Sequence, residues 1–276
     1  MFDLLSGPRG RYRQGWIGQG ELSDEPFPMP EPSAEVTLDG ARFNRVDFSG
    51  LRFASFNSVG SLFEGCDFSG AAFDELFLGS GRSKTAWPQS VFRDCLFRRT
   101  RLASRTFFGN VRFERCVFDR ARTHDHVHTF QAEFVDCTFL GRVRAVNFWG
   151  SLREDQDLLG RDRNEFAGND FTGAEVSWVA FNGIDLLAQR FPGPPDHALL
   201  DRVSVRAAAA AAVVDGWPDP AHRDEGRFDL EFLASNALGS SGGRVLLHRS
   251  ELGTRLPPEL RDQLFDALAA QTHNQQ

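Results

Sequence analysis

Lysine is almost missing from these 276 residues: Lys84 stands alone beside thirty arginines, a skew that resembles high-GC bacterial coding. Tyrosine is equally scarce, one against twenty-seven phenylalanines, so the interior is expected to offer many equivalent apolar slots with no room for a hydroxyl. No apolar run reaches 18 residues, and the opening MFDLLSGPRGRYRQ has no apolar stretch, which argues against a membrane span or secretion and for the cytoplasm. The sequence contains no GxSxG, P-loop or HExxH, and no GxGxxG between a strand and a helix. The LGSSGG run at 238–243 lacks the Lys-Ser/Thr of a phosphate loop and reads as a linker. No enzyme and no cofactor is expected.

What the chain has is a beat. Phe43, Phe48, Phe53, Phe63, Phe68 and Phe73 fall five apart, broken only by Ser58 and closed by Leu78. The spacing resumes at Phe92 and Phe97, Phe113 and Phe118, Phe134 and Phe139, then Phe166, Phe171, Val176, Phe181 and Leu186. Neither a helix nor a strand has this period. A short repeat held over about 145 residues means a stacked solenoid. Taken in fours, the beat gives six coils whose first and second slots are all phenylalanine. The coils opening at Phe92 and Phe113 each run to 21 residues, which predicts one extra residue at a corner.

The cysteines give an independent check on the register. Cys66, Cys95, Cys116 and Cys137 each precede a second-slot phenylalanine by two, so all four share one slot. Rungs stack at roughly 4.8 Å, while disulfides want Cβ atoms nearer about 3.8 Å. A buried thiol ladder in a reducing compartment is therefore expected.

The segments ARFNRVDFSGLRF, SLFEGCDFSGAAF, SVFRDCLF, VRFERCVF, AEFVDCTF and NEFAGNDFTGAEV resemble the pentapeptide-repeat family across about residues 41–186. The resemblance implies an all-β solenoid, a right-handed quadrilateral parallel β-helix, with the central phenylalanine and the small residue two before it both pointing inward. It also implies binding rather than catalysis. The family's best-known members protect DNA gyrase and topoisomerase IV by imitating duplex DNA with an acidic rod, and their C-terminal elements pair two chains. Here the charge departs from that pattern. Residues 1–40 carry 3 basic and 7 acidic groups, residues 41–190 carry 20 and 19, and residues 191–276 carry 8 and 12, so the solenoid is nearly neutral.

Three domains are expected: an extended or capping segment at 1–36, the β-helix at 37–190, and a mainly helical cap or dimerisation segment at 191–276. Loops at 79–90 and 150–163 should project from the β-helix. Beyond it, 197–214, 228–238 and 257–271 read as helices, and 244–248 as extended. Thr123, His128, Arg144 and Trp149 fall on beat positions. Because Arg142 and Arg144 are costly inside, the register is expected to shift and give Val143, Val146 and Phe148 the inner sites.

Three places could carry function. His124, His126 and His128 alternate as metal ligands would on a strand, against the plainer reading of surface histidines. Trp87 sits in the first loop, where partner recognition could concentrate. Residues 92–122 hold nine arginines against Asp94, Glu114 and Asp119. At a 21-residue spacing Arg93 meets Glu114, Asp94 meets Arg115 and Arg98 meets Asp119. Arg99 over Arg120 and Arg101 over Arg122 remain as an anion or partner patch. The expected role is a protein-binding scaffold or regulator, the alternative a DNA mimic acting on a type II topoisomerase. Direct nucleic-acid binding is not expected, and a homodimer through the C-terminal helices stays open.

Overall fold

The computed structural model describes residues 1–9, 13–79, 88–102, 105–122, 127–152, 155–239 and 241–270. Short strands stack in parallel, one per rung, with Phe43 beside Phe63, Phe63 beside Phe92, Phe92 beside Phe113, Phe113 beside Phe134 and Phe134 beside Phe166. A second stack joins Leu96–Arg98, Val117–Asp119, Thr138–Arg144 and Asp170–Ser177. The fold is an all-β quadrilateral β-helix followed by a helical segment.

Chain direction changes at left-handed corners. One corner column holds Arg45, Gly65, Asp94, Arg115, Asp136 and Gly168, and the next holds Gly50, Gly70, Arg99, Arg120 and Gly141, all at positive φ. Inside, the second-slot rings stack face to face at 4.8 Å (Phe27–Phe48), 4.5 Å (Phe48–Phe68), 5.0 Å (Phe68–Phe97), 4.9 Å (Phe97–Phe118), 5.1 Å (Phe118–Phe139), 4.4 Å (Phe139–Phe171) and 5.4 Å (Phe171–Phe191). Each ring buries on the order of 150 Å² or more.

Phe27 and Phe191 lengthen the rod beyond the expected boundaries. Leu22 pairs with Phe43, Pro26 bridges to Asp47, and Trp16 pairs with Val36. Trp16 and Val36 thus stand one turn of the coil apart, and the stack already includes Leu22 and Pro26; Phe2–Arg9 lies antiparallel on Arg13–Ser23 at its edge. At the far end Arg190 bridges to Asp170, so the coil runs to Phe191.

The extra residue of the Phe92 coil falls between Leu102 and Thr106. Arg101 still pairs with Ala72, but Thr106 pairs with Leu76, and Phe108, not Phe107, takes the slot over Leu78. In the next coil the inner positions slide likewise. Val127 and Thr129 are buried, so the beat position at His128 passes to Thr129. One rung on, Val143 packs on the core while Val146 and Phe148 are buried. Arg142 faces Glu175 at 3.6 Å, and Arg144 is exposed.

The second loop does not simply project. It contains α1 (Gln156–Leu159), and Arg161 folds back to Asn110 (2.7 Å), the Gln131 carbonyl (2.6 Å) and Asn164 (3.1 Å). After the coil, residues 197–214 are not one helix. His197–Leu200 forms an antiparallel pair with Val245–His248, and α2 begins at Val203 and ends at Asp215. The helix expected at 228–238 spans Pro220–Gly239 (α3), and the last spans Pro258–Ala269 (α4) behind two prolines suited to a first turn.

These elements carry their own apolar core, with Leu200, Val214, Trp217, Leu230, Leu264 and Leu268 at its centre. Arg206, 2% exposed, pins it by donating to Asp201 and to the Leu268 carbonyl at 2.9 Å. No helix among the described residues is long and apolar enough to cross a membrane.

Candidate binding face

The four cysteines line one buried column and are unoxidised. Each thiol donates to the carbonyl of the first-slot phenylalanine one rung back: Cys66 to Phe43 (3.7 Å), Cys95 to Phe63 (3.5 Å), Cys116 to Phe92 (3.3 Å) and Cys137 to Phe113 (3.4 Å). Asn169 and Gln189 continue the column, giving amide hydrogens to the Phe134 and Phe166 carbonyls at 2.9 and 3.0 Å. The slot takes the apolar Val46 in one rung and carbonyl-bonding donors in the rungs that follow. The neighbouring Cys95 thiol and burial hold Cys66 far above its ordinary pKa; burial, then the adjacent thiols, do the same for Cys116. Iodoacetamide should leave all four unmodified in the folded protein and label all four in denaturant, read by intact mass, because only exposed thiolate reacts.

On the outer side of the first stack the charges interlock. Arg93 bridges Glu64 and Glu114, both at 2.8 Å. Arg112 holds Glu114 (2.5 Å), Glu165 (2.8 Å) and Glu133 (3.2 Å), and Arg161 approaches Glu133 at 3.6 Å. Burial would depress the Arg112 pKa, but the carboxylates of Glu114, Glu165 and Glu133 outweigh it and raise it. Along the adjoining corner Arg45 grips Asp24, and Arg115 grips Asp94 through two bonds of 2.8 Å. All three opposite-sign pairings expected at 21 residues form, including Arg98 with Asp119 at 3.1 Å.

The next corner differs. Arg99, Arg101, Arg120 and Arg122 are all exposed on two adjacent rungs, with Arg101 directly paired to Arg122 in the ladder. Among the described residues Arg99, Arg101 and Arg122 have no carboxylate partner. Arg120 reaches, among the described residues, only Asp119, through Oδ1 at 3.5 Å, a carboxylate whose other oxygen accepts from Arg98. Arg99 and Arg120 stand at φ 54° and 52°, in the column where Gly50, Gly70 and Gly141 supply the left-handed turn. A side chain there costs roughly 1–2 kcal/mol. At the first corner that cost coincides with close ion pairs; here, among the described residues, Arg99 has no carboxylate partner and Arg120 shares Asp119 with Arg98.

Of the remaining sites expected from sequence, Trp87, His124 and His126 lie outside the described residues, as does the His128 side chain. Among the described residues no group of three or more His, Cys, Asp or Glu forms a metal-like cluster. Sequence reasoning missed Phe27, Phe191, Asn169 and Gln189 as members of the stack. Phe27 lies 21 residues before Phe48 and Phe191 lies 20 after Phe171, so the coil period itself could have found them.

No family model and no curated protein matches this sequence. Solved structures do. HetL, a pentapeptide repeat protein involved in heterocyst differentiation regulation from the cyanobacterium Nostoc sp. strain PCC 7120, is 12% identical, with 57% of this chain and 74% of that chain covered and a TM-score of 0.27. QnrB1, a plasmid-mediated fluoroquinolone resistance protein, is 15% identical in a trypsin-treated form, covering 63% of this chain and 79% of that one at a TM-score of 0.24. Both are pentapeptide-repeat proteins, and in fold this chain is a pentapeptide-repeat solenoid, carried by its own rung register.

Proposed function

We propose that this protein is a non-enzymatic scaffold that binds an acidic surface of another protein through Arg99, Arg101, Arg120 and Arg122. The observation that carries the reading is the contrast between the two corners: arginines paired across rungs at one, and left without full partners on a rigid backbone at the other. Rungs locked by parallel hydrogen bonds and stacked rings fix the backbone under the four arginines, so binding orders their side chains but not the chain that carries them. Planar guanidinium binds carboxylate through two parallel bonds.

The patch covers two rungs, and the solenoid as a whole sums to 20 basic against 19 acidic groups. A nucleic acid calls for a longer basic track. Mimicry of DNA would need a long uncompensated acidic row, yet Glu64, Glu114, Glu133 and Glu165 are held by Arg93, Arg112 and Arg161. Phe228 and Phe232 on α3, 63% and 57% exposed, are the apolar surface on which a pairing of two chains would draw.

The test is quantitative affinity capture with the wild-type chain and with Arg101→Glu/Arg122→Glu. One reproducible protein partner should be recovered, about tenfold less by the variant and less again as salt rises. Equal recovery by both baits would overturn the reading, and recovery of topoisomerase subunits independent of these arginines would favour the mimic. Arg120→Gly separates binding from folding: stability should change by less than about 1 kcal/mol, since relief at the corner offsets glycine's entropy, while partner recovery falls.

A further inference from the structure

Where the last rung meets the C-terminal unit, the two surfaces do not close. Strand Ala180–Asn182 is the outer member of its stack, and between it and α3 lies a cavity of about 350 Å³. That size is within the range of small-molecule sites, roughly 300–1,000 Å³. Its walls are mostly apolar, with Leu186, Leu233 and Leu246 inside, and two partly exposed aromatics, Trp178 and Phe232.

Two carboxylates enter this apolar space. Glu251 accepts the Trp178 backbone N–H at 2.5 Å through Oε1, and Asp229 accepts the Gly253 N–H through Oδ2. Neither has an ion pair among the described residues, and the second oxygen of each takes no hydrogen bond there. Burial pushes Glu251 up to about 7 and raises Asp229 as well, with Glu225 adding to the latter. Carboxylates set against leucine are costly to ionise, and among the described residues the cavity wall carries one cation, Arg244, which pairs with neither.

We propose that this cavity binds a small organic cation, an ammonium group on an apolar body. The ammonium would meet the free oxygen of Glu251, with Asp229 on the same wall, and the aromatic side chains of Trp178 and Phe232 that line the cavity would favour it further. The apolar body would cover Leu233 and Leu246. An anion would find Arg244 alone against two carboxylates, and a neutral ligand would leave both carboxylates unpaired. This site is independent of the arginine face.

The titratable and charged groups on the cavity wall are Asp229, Glu251 and Arg244, with Glu225 beside Asp229 and Arg255 3.8 Å from Glu225. A cation selects ionised Glu251, so affinity should rise as pH passes upward through about 7. The experiment is calorimetric titration of the full chain with 2-phenylethylamine and with 2-phenylethanol, its neutral counterpart, at pH 6 and pH 8. The amine should bind at least about tenfold tighter than the alcohol at pH 8. Glu251→Gln keeps an acceptor for Trp178 and should remove that preference; Phe232→Ala, at a solvent-facing position, should weaken amine binding with the fold intact. Equal affinity for amine and alcohol, amine binding unchanged in Glu251→Gln, or no saturable binding of the amine would overturn the proposal.

Discussion

Phe92→Ala should lower stability by about 3–5 kcal/mol, the range for emptying a buried aromatic site. The ring is 1% exposed and sits mid-stack, 4.2 Å from Phe63 and 5.2 Å from Phe113. Rungs above and below are fixed by main-chain ladders, so the hole cannot easily collapse. In a solenoid each rung also supports its neighbours. The loss should therefore appear as a lower urea midpoint and as faster amide exchange in rungs on both sides. Phe107→Ala, on the five-residue count but 38% exposed because Phe108 takes the inner slot, should cost far less and serves as the paired control.

Glu133→Ala should cost a similar amount, about 3–5 kcal/mol, because it strands charges instead of emptying space. Its side chain is 8% exposed and takes Arg112 at 3.2 Å, Arg161 at 3.6 Å, the Gln89 amide at 2.8 Å and the Glu165 N–H at 3.0 Å. Removing it leaves Arg112 and Arg161, 20% and 16% exposed, short of countercharge. Asp24→Ala deletes an equally well-formed pair whose partners are 58% and 61% exposed, and should leave the urea midpoint nearly unchanged. The same network is acid-sensitive. Burial raises the Glu114 pKa, but Arg93 and then Arg112 outweigh it and hold the carboxyl below its usual range. Its contribution is thus complete above the ordinary carboxylate range and lost as pH falls through the lowered folded value. A stability profile from pH 7 to pH 3 should steepen in the wild type relative to Glu114→Gln.

Much of the rod was legible because its period is set by backbone geometry and repeated in one residue type. Phe43 through Phe171 name their own slots, and the 21-residue coils fix which charges meet, so Arg93–Glu114, Asp94–Arg115 and Arg98–Asp119 follow from counting. Legibility ended where one slot accepts several residue types. Leu22 and Phe27 do the work of the first rung without a flanking run of repeats, and Gln189 stands in the cysteine column because its amide can make the same bond to a phenylalanine carbonyl. His197–Leu200 read as helix because its apolar residues lead into an alanine-rich run; its strand pairing with Val245–His248 is a tertiary contact some fifty residues away. Arg161 read as loop charge, yet Glu133 and the Gln131 carbonyl draw it onto the rod. The free arginines were visible as a surplus, but their left-handed corner was not.

The most direct test of that arginine face is hydrogen-exchange footprinting of the rod alone and with its captured protein partner. The account predicts new protection centred on residues 99–102 and 120–122, abolished by Arg101→Glu/Arg122→Glu. Protection confined to α3 or to the Glu64–Glu114 side, with residues 99–122 unchanged, would contradict it.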